Sequence, residues 1–203
     1  GIKVESYADL LQPELKGKII SADPANSSSA FQCLIGMLYG MGNGDPMSQE
    51  AWDFIDKFLV NLDGKVASSS SQVYNGVANG EYYVGLSYED PCVELEAAGE
   101  QPVKVVYAKE GTIFPGQSVQ IVKNAPHLEA AQKFVDYVLS EEVQTAVAAE
   151  LNLRPLRAGI PTNAKMVPNE DIKLFDTYSA AYIAEHKAEI VNTYVEHVEM
   201  MME

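Results

Sequence analysis

One short stretch constrains the fold of this chain most: an apolar run that breaks into a serine-rich loop and then continues as an apolar helix. The run is residues 18–22 (KIISA), which is typical of a buried strand and ends at Asp23-Pro24. Residues 25–29 (ANSSS) then lead into an apolar segment that begins at Ala30 and predicts a helix. A strand that passes directly into a helix begins a strand–helix–strand unit, so the sequence favours an α/β fold.

The same arrangement occurs a second time. Residues 68–71 (SSSS) precede a predicted helix over residues 72–79, which ends at Gly80. In both copies the serine hydroxyls and the first backbone N–H groups of the helix would form a cluster of neutral donors at the positive end of a helix dipole, which suits an anion. The alternative is that Asn26 or one serine only caps its helix. Two copies favour one shared polar cleft.

The rest of the chain alternates between predicted strands and predicted helices, as an α/β sheet with crossover connections requires. We expect strands over residues 82–88, 103–107 and 118–122, and helices over residues 31–39, 93–98, 127–139, 141–151 and 169–203, with a further helix that Ser48 caps and Gly64 ends. In the helix over residues 127–139, the apolar positions expected to face inward are Leu128, Ala131, Phe134, Val135 and Val138.

The charge of the chain argues against several partners. Its net charge is −15, from 14 Lys and Arg residues against 29 Asp and Glu residues. Such an acidic chain is repelled by nucleic acid and by anionic membrane surfaces, and no basic run offsets the repulsion. No apolar stretch approaches the roughly 18 residues that would span a bilayer. We therefore expect no nucleic acid partner and no direct membrane insertion.

Neither the cysteines nor the histidines form a pattern that indicates chemistry. Cys33 and Cys92 lie outside any CxxC or Cys/His cluster, so we expect no metal site, and a disulfide between them is left open. His127, His186 and His197 lie outside both serine clusters, and no G-x-S-x-G or S-x-x-K pattern is found. We expect a binding protein rather than an enzyme, with no catalytic residue and no cofactor.

Five segments carry a recognisable pattern. They are residues 10–19 (LLQPELKGKI), 79–86 (NGEYYVGL), 109–112 (KEGT), 124–144 (NAPHLEAAQKFVDYVLSEEVQ) and 154–157 (RPLR). In this order they resemble the second half of a type II solute-binding protein, the receptor component of an ATP-binding-cassette (ABC) importer. The resemblance covers about residues 7–160 and is greatest to the branch that handles ferric iron, phosphonates, sugar phosphates or thiamine.

The resemblance implies a fold with two lobes on a hinge that close around a ligand. Residues 1–111 correspond to the ligand-binding second lobe, a mixed sheet flanked by helices of the type II periplasmic-binding-protein kind. Residues 112–203 correspond to the return strand and C-terminal helices of the first lobe, most of which the chain is expected to lack. The hinge is expected near residues 15–18 and 110–112. The implied location is the periplasm or the cell exterior, with a lipoprotein anchor in a full-length parent as an open alternative.

Carried over position by position, the resemblance implies ligand contacts in three segments. They are Ala25, Asn26, Ser27, Ser28 and Ser29 in the first, Ser68, Ser69, Ser70 and Ser71 in the second, and Tyr88, Glu89 and Asp90 at the end of a strand. The serine segments suit a phosphate, phosphonate or phosphate ester, and Glu89 and Asp90 could bind an amine or hydroxyl groups of the same molecule. Equally open is that residues 89–91 form only a turn.

The implied function is capture of a small anionic or phosphorylated solute between the lobes and its delivery to the permease subunits of an ABC importer. Ferric iron is the alternative ligand, although the ferric branch has adjacent tyrosines at the strand end where this chain has Tyr88 and Glu89. Tyr82 and Tyr83 fall earlier, within the predicted strand, and are expected to pack. A sensor or interaction domain without a transport function is a further alternative.

Overall fold

The computed structural model describes residues 2–100, 102–116 and 118–202 of the chain. Its strands are β1 (Ile19–Ala22), β2 (Val66–Ala67) and β3 (Val84–Leu86). Its helices are α1 (Ser28–Met41), α2 (Gln49–Leu62), α3 (Ser70–Ala78), α4 (Glu89–Ala98), α5 (Leu128–Val138), α6 (Glu141–Leu151) and α7 (Ala180–Met202), with 3-10 turns at Ala8–Leu11, Pro13–Leu15 and Asn169–Asp171. None of the helices within these ranges combines the length and the apolar composition that crossing a bilayer requires.

The three strands form one parallel sheet in the order β2-β1-β3. Ala22 of β1 lies beside Ala67 of β2, and Ser21 of β1 lies beside Leu86 of β3. Helices connect the strands, because two parallel strands cannot be joined by a tight turn. The predicted α/β class, a small sheet flanked by helices, is confirmed, and every described strand pairing is parallel.

Strand β1 is buried on both faces because helices cover each side of the sheet. Ile19 belongs to the larger core cluster, to which α1, α2 and α7 contribute, and Ile20 belongs to a smaller cluster with Val73 of α3. Successive side chains of a strand point to opposite faces, so one continuous apolar run supplies both clusters. Ile19 and Ile20 are 0% and 2% exposed. The central strand, and the loop that follows it, are therefore firmly positioned.

The chain divides into two compact units. The first comprises Gly1–Pro115 and Ile172–Glu203, and the second comprises Gly116–Asp171. The sheet, α1 to α4 and α7 belong to the first unit, while α5 and α6 pack on each other in the second. The assignment of residues 1–111 and 112–203 to two different lobes of a receptor stays a prediction.

Three predicted elements differ from the structure. Residues 103–107 and 118–122 are not strands, because a strand forms only where a neighbour can pair its backbone groups, and the sheet of the described residues does not extend to them. The helix predicted over residues 169–203 is interrupted, because Thr112 forms a parallel bridge with Leu174 that holds the backbone there extended. Residue 203 lies outside the described residues.

Helix α5 has the amphipathic pattern that the sequence predicts, but its apolar face is only partly covered. None of its residues, all of which are described, is buried. Leu128 and Phe134 are 52% and 59% exposed, and Ala131, Val135 and Val138 are only partly buried. Periodicity identifies the face of a helix that can pack, whereas burial also needs a partner for that face.

Candidate functional site

The sheet brings the starts of three helices to one edge. The chain runs from β1 into α1, from β2 into α3 and from β3 into α4. Because the strands are parallel and in register, their carboxyl ends meet, and each following loop begins at the same edge. Residues 25–29, 68–71 and 88–90 are therefore neighbours in space, although they are separate in the sequence.

The first of these loops is held in shape by Asp23. Its carboxylate accepts the backbone N–H of Ala25 at 2.9 Å and the side-chain amide of Asn26 at 2.6 Å. Its carbonyl oxygen accepts the N–H of Ser27 at 2.8 Å. The Asn26 amide is thus engaged within the loop, and the shape of the loop is set without a ligand.

Ser27 ends this loop as the N-cap of α1. Its Oγ accepts the N–H of Ala30 at 3.4 Å and lies 3.1 Å from the Oγ of Ser29. Ser28 is exposed in the first turn. The bond between the two hydroxyls uses one of their two protons, which leaves the other to be donated outward. The first-turn N–H groups of the helix, which have no intrahelical partner, add further donors.

The second loop repeats this chemistry at the start of α3. Ser69 is the N-cap: its Oγ accepts the N–H of Gln72 at 3.3 Å and lies 3.0 Å from the Oγ of Ser71. The Oε1 of Gln72 accepts both the N–H and the Oγ–H of Ser68, at 3.0 and 3.2 Å. Ser70 begins the helix. The spacing of cap, hydroxyl pair and first turn is the same as in α1.

The two loops line one open depression at the sheet edge. Its volume is ≈ 340 Å³, and the first loop contributes Asp23, Asn26 and Ser27 while residues 66–68 contribute the other wall. The α1 cap Ser27 therefore borders the depression directly, whereas the start of α3 reaches it only through Ser68, whose two donors are both bonded to Gln72. Such an arrangement can stabilise a negative charge through partial charges alone, without a basic side chain.

The third segment has a different chemistry. Tyr88 is the N-cap of α4, and its ring meets that of Tyr74 on α3 edge to face, with centroids 6.2 Å apart. Burial, and then the neighbouring Tyr74, raise the pKa of the Tyr88 phenol. Glu89 accepts a hydrogen bond from the hydroxyl of Tyr107. Burial, and to a lesser extent the charge of Glu89, raise the pKa of the Asp90 carboxyl.

The open question of a turn at residues 89–91 has a structural answer. These residues form the first turn of α4, which begins at Glu89 rather than at the predicted residue 93. Pro91 is tolerated there because the first-turn N–H groups have no intrahelical partner to lose. Two acidic residues also suit the positive end of a helix. The helix start therefore explains the position of Glu89 and Asp90 without a ligand. Their carboxylates nevertheless lie where they could attract a cationic group.

Some residues of this edge were not predicted. Asp23 and Gln72 organise the two serine loops, and Tyr74 accompanies Tyr88. Only Tyr74 had a sequence signal that could have been used, since it lies four residues after Ser70 and so on the same face of α3.

Two of the three histidines lie on the last helix, away from the three loops. His186 and His197 both lie on α7. His186 pairs with Glu189 of the same helix, and His197 pairs with Asp56 of α2. Among residues 2–100, 102–116 and 118–202, no three His, Cys, Asp or Glu side chains are grouped as a bound metal ion would require.

Comparison with known families gives a match over most of the chain. The family model described as "Bacterial extracellular solute-binding protein" matches residues 3–175. The chain is 33% identical over 147 residues to the spermidine/putrescine-binding periplasmic protein of Escherichia coli strain K12, which is 71% of this chain and 40% of the relative. It is 26% identical over 187 residues to iron uptake protein A1 of Synechocystis, or 84% of this chain and 49% of the relative.

Solved structures show a similar fold. The periplasmic binding protein AfuA from Actinobacillus pleuropneumoniae, with exogenous fructose-6-phosphate bound, superposes with a TM-score of 0.83 at 24% identity, over 97% of this chain and 61% of that one. The periplasmic binding protein P5PA gives a TM-score of 0.76 at 23% identity, over 98% of this chain and 62% of that one. The chain therefore spans less than two thirds of these neighbours, and less than half of the curated relatives.

Proposed function

We propose that this chain is the ligand-binding part of a receptor that delivers a solute to an ABC importer. The premise is that the chain belongs to the family of bacterial extracellular solute-binding proteins. Residues 1–111 would form the ligand-binding lobe, and residues 112–203 the return strand and C-terminal helices of the other lobe. Because the chain spans only part of its relatives, the activity of a whole receptor is itself part of the proposal.

The ligand we propose is a small anionic or phosphorylated solute. One observation carries this choice: two serine-capped helix N-termini follow neighbouring strands at one edge of the sheet, and Ser27 of the first and Ser68, beside the cap of the second, line the same depression. Each supplies a hydroxyl proton and first-turn N–H groups, and hydrogen bonds to a charged group contribute about 1.5–3 kcal/mol each. A phosphate group has enough acceptor oxygens to use both helices at once. AfuA, whose structure contains a sugar phosphate, has a similar fold.

A cationic group on the same ligand is the second part of the proposal. Tyr74 and Tyr88 present aromatic rings beside the carboxylates of Glu89 and Asp90, one strand away from the serine loops. Aromatic faces and carboxylates both attract an ammonium group. A solute with a phosphate or phosphonate at one end and an amine or several hydroxyls at the other would fit both chemistries.

Ferric iron is less compatible with the positions of the tyrosines. Tyr82 and Tyr83 precede β3, so they lie at the opposite edge of the sheet from the three loops. Tyr82 packs on the smaller core cluster, which contains Ile20 and Val73. The Nζ atom of Lys18 lies 4.5 Å from the centroid of the Tyr83 ring. Tyr88 is thus followed by Glu89 and not by a second phenol. Iron is kept as a test ligand because iron uptake protein A1 is a relative.

Closure around the ligand would involve the contact between residues 5–8 and residues 109–110. The backbone N–H of Lys109 donates to the carbonyl of Glu5 at 3.0 Å, and the carboxylate of Glu110 accepts the N–H groups of Tyr7 and Ala8 at 3.1 and 3.5 Å. These bonds hold residues 5–8 beside Glu110, which belongs to one of the two predicted hinge segments, residues 110–112; the other predicted segment is residues 15–18. A hinge needs such a fixed axis about which the flanking segments rotate.

Binding without chemistry is the proposed mode of action, in the periplasm or at the cell exterior, with permease subunits as the partner. The serine hydroxyls bond to one another and to helix N–H groups, and these four bonds contain no histidine, lysine or carboxylate that could act as a general base. A lipoprotein anchor in a longer receptor is an open alternative, as is a sensor domain without a transport role.

Thermal unfolding in the presence of candidate ligands tests the proposal. The panel is phosphate, phosphonates, sugar phosphates, thiamine, spermidine and ferric citrate, applied to this chain and to a longer receptor that contains it. A ligand that binds the folded state raises Tm with concentration. A rise with a phosphorylated compound is the expected result. A rise only with spermidine, or only with ferric citrate, would overturn the ligand class while leaving the receptor function in place.

A further inference from the structure

The two cysteines of the chain converge near one residue of the candidate site. Cys33, on α1, donates its S–H to the carbonyl oxygen of Ser87 at 3.6 Å. Ser87 is the residue between β3 and Tyr88, the N-cap of α4. Cys92 lies one turn further along that helix, and its thiol is close enough to the Ser87 side chain to interact with it. Both side chains are partly buried, and both are free thiols.

The two thiols are also close enough to influence each other electrostatically. Burial, and then the charge of Cys92, raise the pKa of Cys33 to about 12. Burial raises the pKa of Cys92 to about 11. The interaction of two charges weakens as their separation grows, so this influence agrees with the contacts that both thiols make at Ser87. The geometry of α1, Ser87 and α4 and this mutual influence therefore place both sulfur atoms in one small region.

We propose that Cys33 and Cys92 are oxidised to an intramolecular disulfide that joins α1 to α4 beneath the candidate site. The reaction is thiol–disulfide exchange with a disulfide oxidant, either a small molecule such as oxidised glutathione or a thiol–disulfide oxidoreductase. Two S–H bonds lose their protons and two electrons, and one S–S bond forms. The S–S bond of the oxidant breaks, takes up the two electrons and two protons, and is released as two thiols.

The disulfide would fix two of the three ligand segments relative to each other. Cys33 lies in the second turn of α1, behind the serine cap at Ser27, and Cys92 lies behind Tyr88 at the start of α4. The crosslink closes a long loop, residues 33–92, which contains α2, β2, α3 and β3. Restriction of such a loop in the unfolded state stabilises the folded state. The inference concerns the fold and does not depend on which ligand binds.

The raised pKa values predict how the bond forms. At neutral pH only a small fraction of either thiol is thiolate, and only the thiolate attacks a disulfide. The folded, reduced chain should therefore react slowly with oxidised glutathione, over hours, and much faster when an oxidoreductase or brief partial unfolding exposes the thiols. Once formed, the Cys33–Cys92 disulfide should be reduced slowly by mild reductants, because its partly buried sulfur atoms are difficult for an attacking thiolate to reach.

Intact-mass measurement after oxidation tests the proposal. The reduced, folded 203-residue chain is incubated with oxidised glutathione, with and without a thiol–disulfide oxidoreductase, then denatured and alkylated. The expected product is lighter by the mass of two hydrogen atoms, takes up no alkyl group, and gives a peptide that links Cys33 to Cys92. Cys33→Ser and Cys92→Ser variants should each keep one alkylatable thiol. Two alkylatable thiols in the wild-type chain, under conditions that oxidise the urea-unfolded chain, would overturn the proposal.

Thermal unfolding supplies a second readout that does not depend on alkylation. The oxidised chain should unfold about 8–16 °C above the reduced chain, from the entropy of closing a loop of this length. Addition of dithiothreitol should remove this difference in the wild type and leave the Tm of Cys92→Ala unchanged. Equal Tm values for the oxidised and reduced wild-type chains would contradict a crosslink between α1 and α4.

Discussion

Replacement of Ser27 by alanine separates the role of the α1 cap from the role of the candidate site. Ser27 Oγ accepts the N–H of Ala30 at 3.4 Å, which satisfies one donor of the first turn. Loss of an N-cap serine costs about 1 kcal/mol of folding free energy. In a chain of this size, 1 kcal/mol lowers Tm by about 2–4 °C. We therefore expect Ser27→Ala to be folded and slightly less stable.

The same replacement should weaken ligand binding by much more than it weakens the fold. Ser27 lines the depression, and its hydroxyl is the partner that orients the hydroxyl of Ser29 at 3.1 Å. The variant lacks one donor and frees the other to rotate. A hydrogen bond to a charged group contributes about 1.5–3 kcal/mol, so the Kd for a phosphorylated ligand should rise about 10- to 100-fold.

Ser48→Ala is the matched control. Ser48 caps α2 through the same bond, from the N–H of Ala51 at 3.3 Å, but it does not line the depression. Thermal unfolding and titration calorimetry, on the receptor and the ligand that raises its Tm, measure both effects. Both variants should lose similar stability, and only Ser27→Ala should lose affinity. Equal Kd values in the two variants would refute the assignment of the α1 N-terminus to the ligand site.

Three further predictions follow from individual contacts. Ser28→Phe and Ser69→Phe should abolish binding and leave the circular dichroism spectrum unchanged, because a ring at either helix start would cover the first-turn donors; titration calorimetry measures the loss. Gly36→Ala should lower Tm by a few degrees, because a Cβ there would lie 2.6 Å from the Tyr7 hydroxyl and overpacking costs about 1–3 kcal/mol, of which the better helix propensity of alanine recovers about 1 kcal/mol. Asp90→Asn should raise Tm at pH 7, because burial outweighs the favourable position at the helix end, raises the pKa of Asp90 and makes its charged form unfavourable in the folded state. That gain should shrink as pH falls towards about 4 and disappear below it, where the carboxyl is protonated in both states.

Controls distinguish these effects from general damage. A Cβ at Gly116 would have no heavy atom within 4 Å, so Gly116→Ala should leave Tm unchanged, and a loss equal to that of Gly36→Ala would contradict the overpacking argument. A difference between Asp90→Asn and the wild type that persists at pH 3 would show that charge is not the cause. Unaltered affinity in Ser69→Phe would remove the α3 N-terminus from the site.

The fold class could be predicted because its determinants are local. The run that contains Ile19 and Ile20 is continuously apolar, as a strand covered on both faces must be. The two serine segments were recognisable as helix starts because cap residues have a strong chemical preference, although the sequence did not single out Ser27 and Ser69 as the caps. The parallel sheet then brings both starts to one edge by a general rule of α/β topology.

Other features depend on contacts that no local pattern contains. The Asp23 carboxylate accepts one of the two N–H donors of the Asn26 amide, and Gln72 accepts both donors of Ser68. These bonds depend on side-chain conformations that the loops adopt only after the strands pair. Phe134 shows the same limit for packing: its position in an amphipathic helix was predictable, whereas its 59% exposure depends on what covers that face.

Direct titration with a matched pair of ligands tests the central claim. The claim is that the serine-capped starts of α1 and α3 bind the phosphate group of a solute. Isothermal titration of the chain, and of a longer receptor that contains it, with a sugar phosphate and with the same sugar lacking phosphate isolates that group. The account predicts saturable binding of the phosphorylated member of a pair and a Kd at least about 100-fold weaker for its partner, as the loss of two charge-assisted bonds implies. Equal affinity for both members, or binding of spermidine or ferric citrate alone, would contradict it.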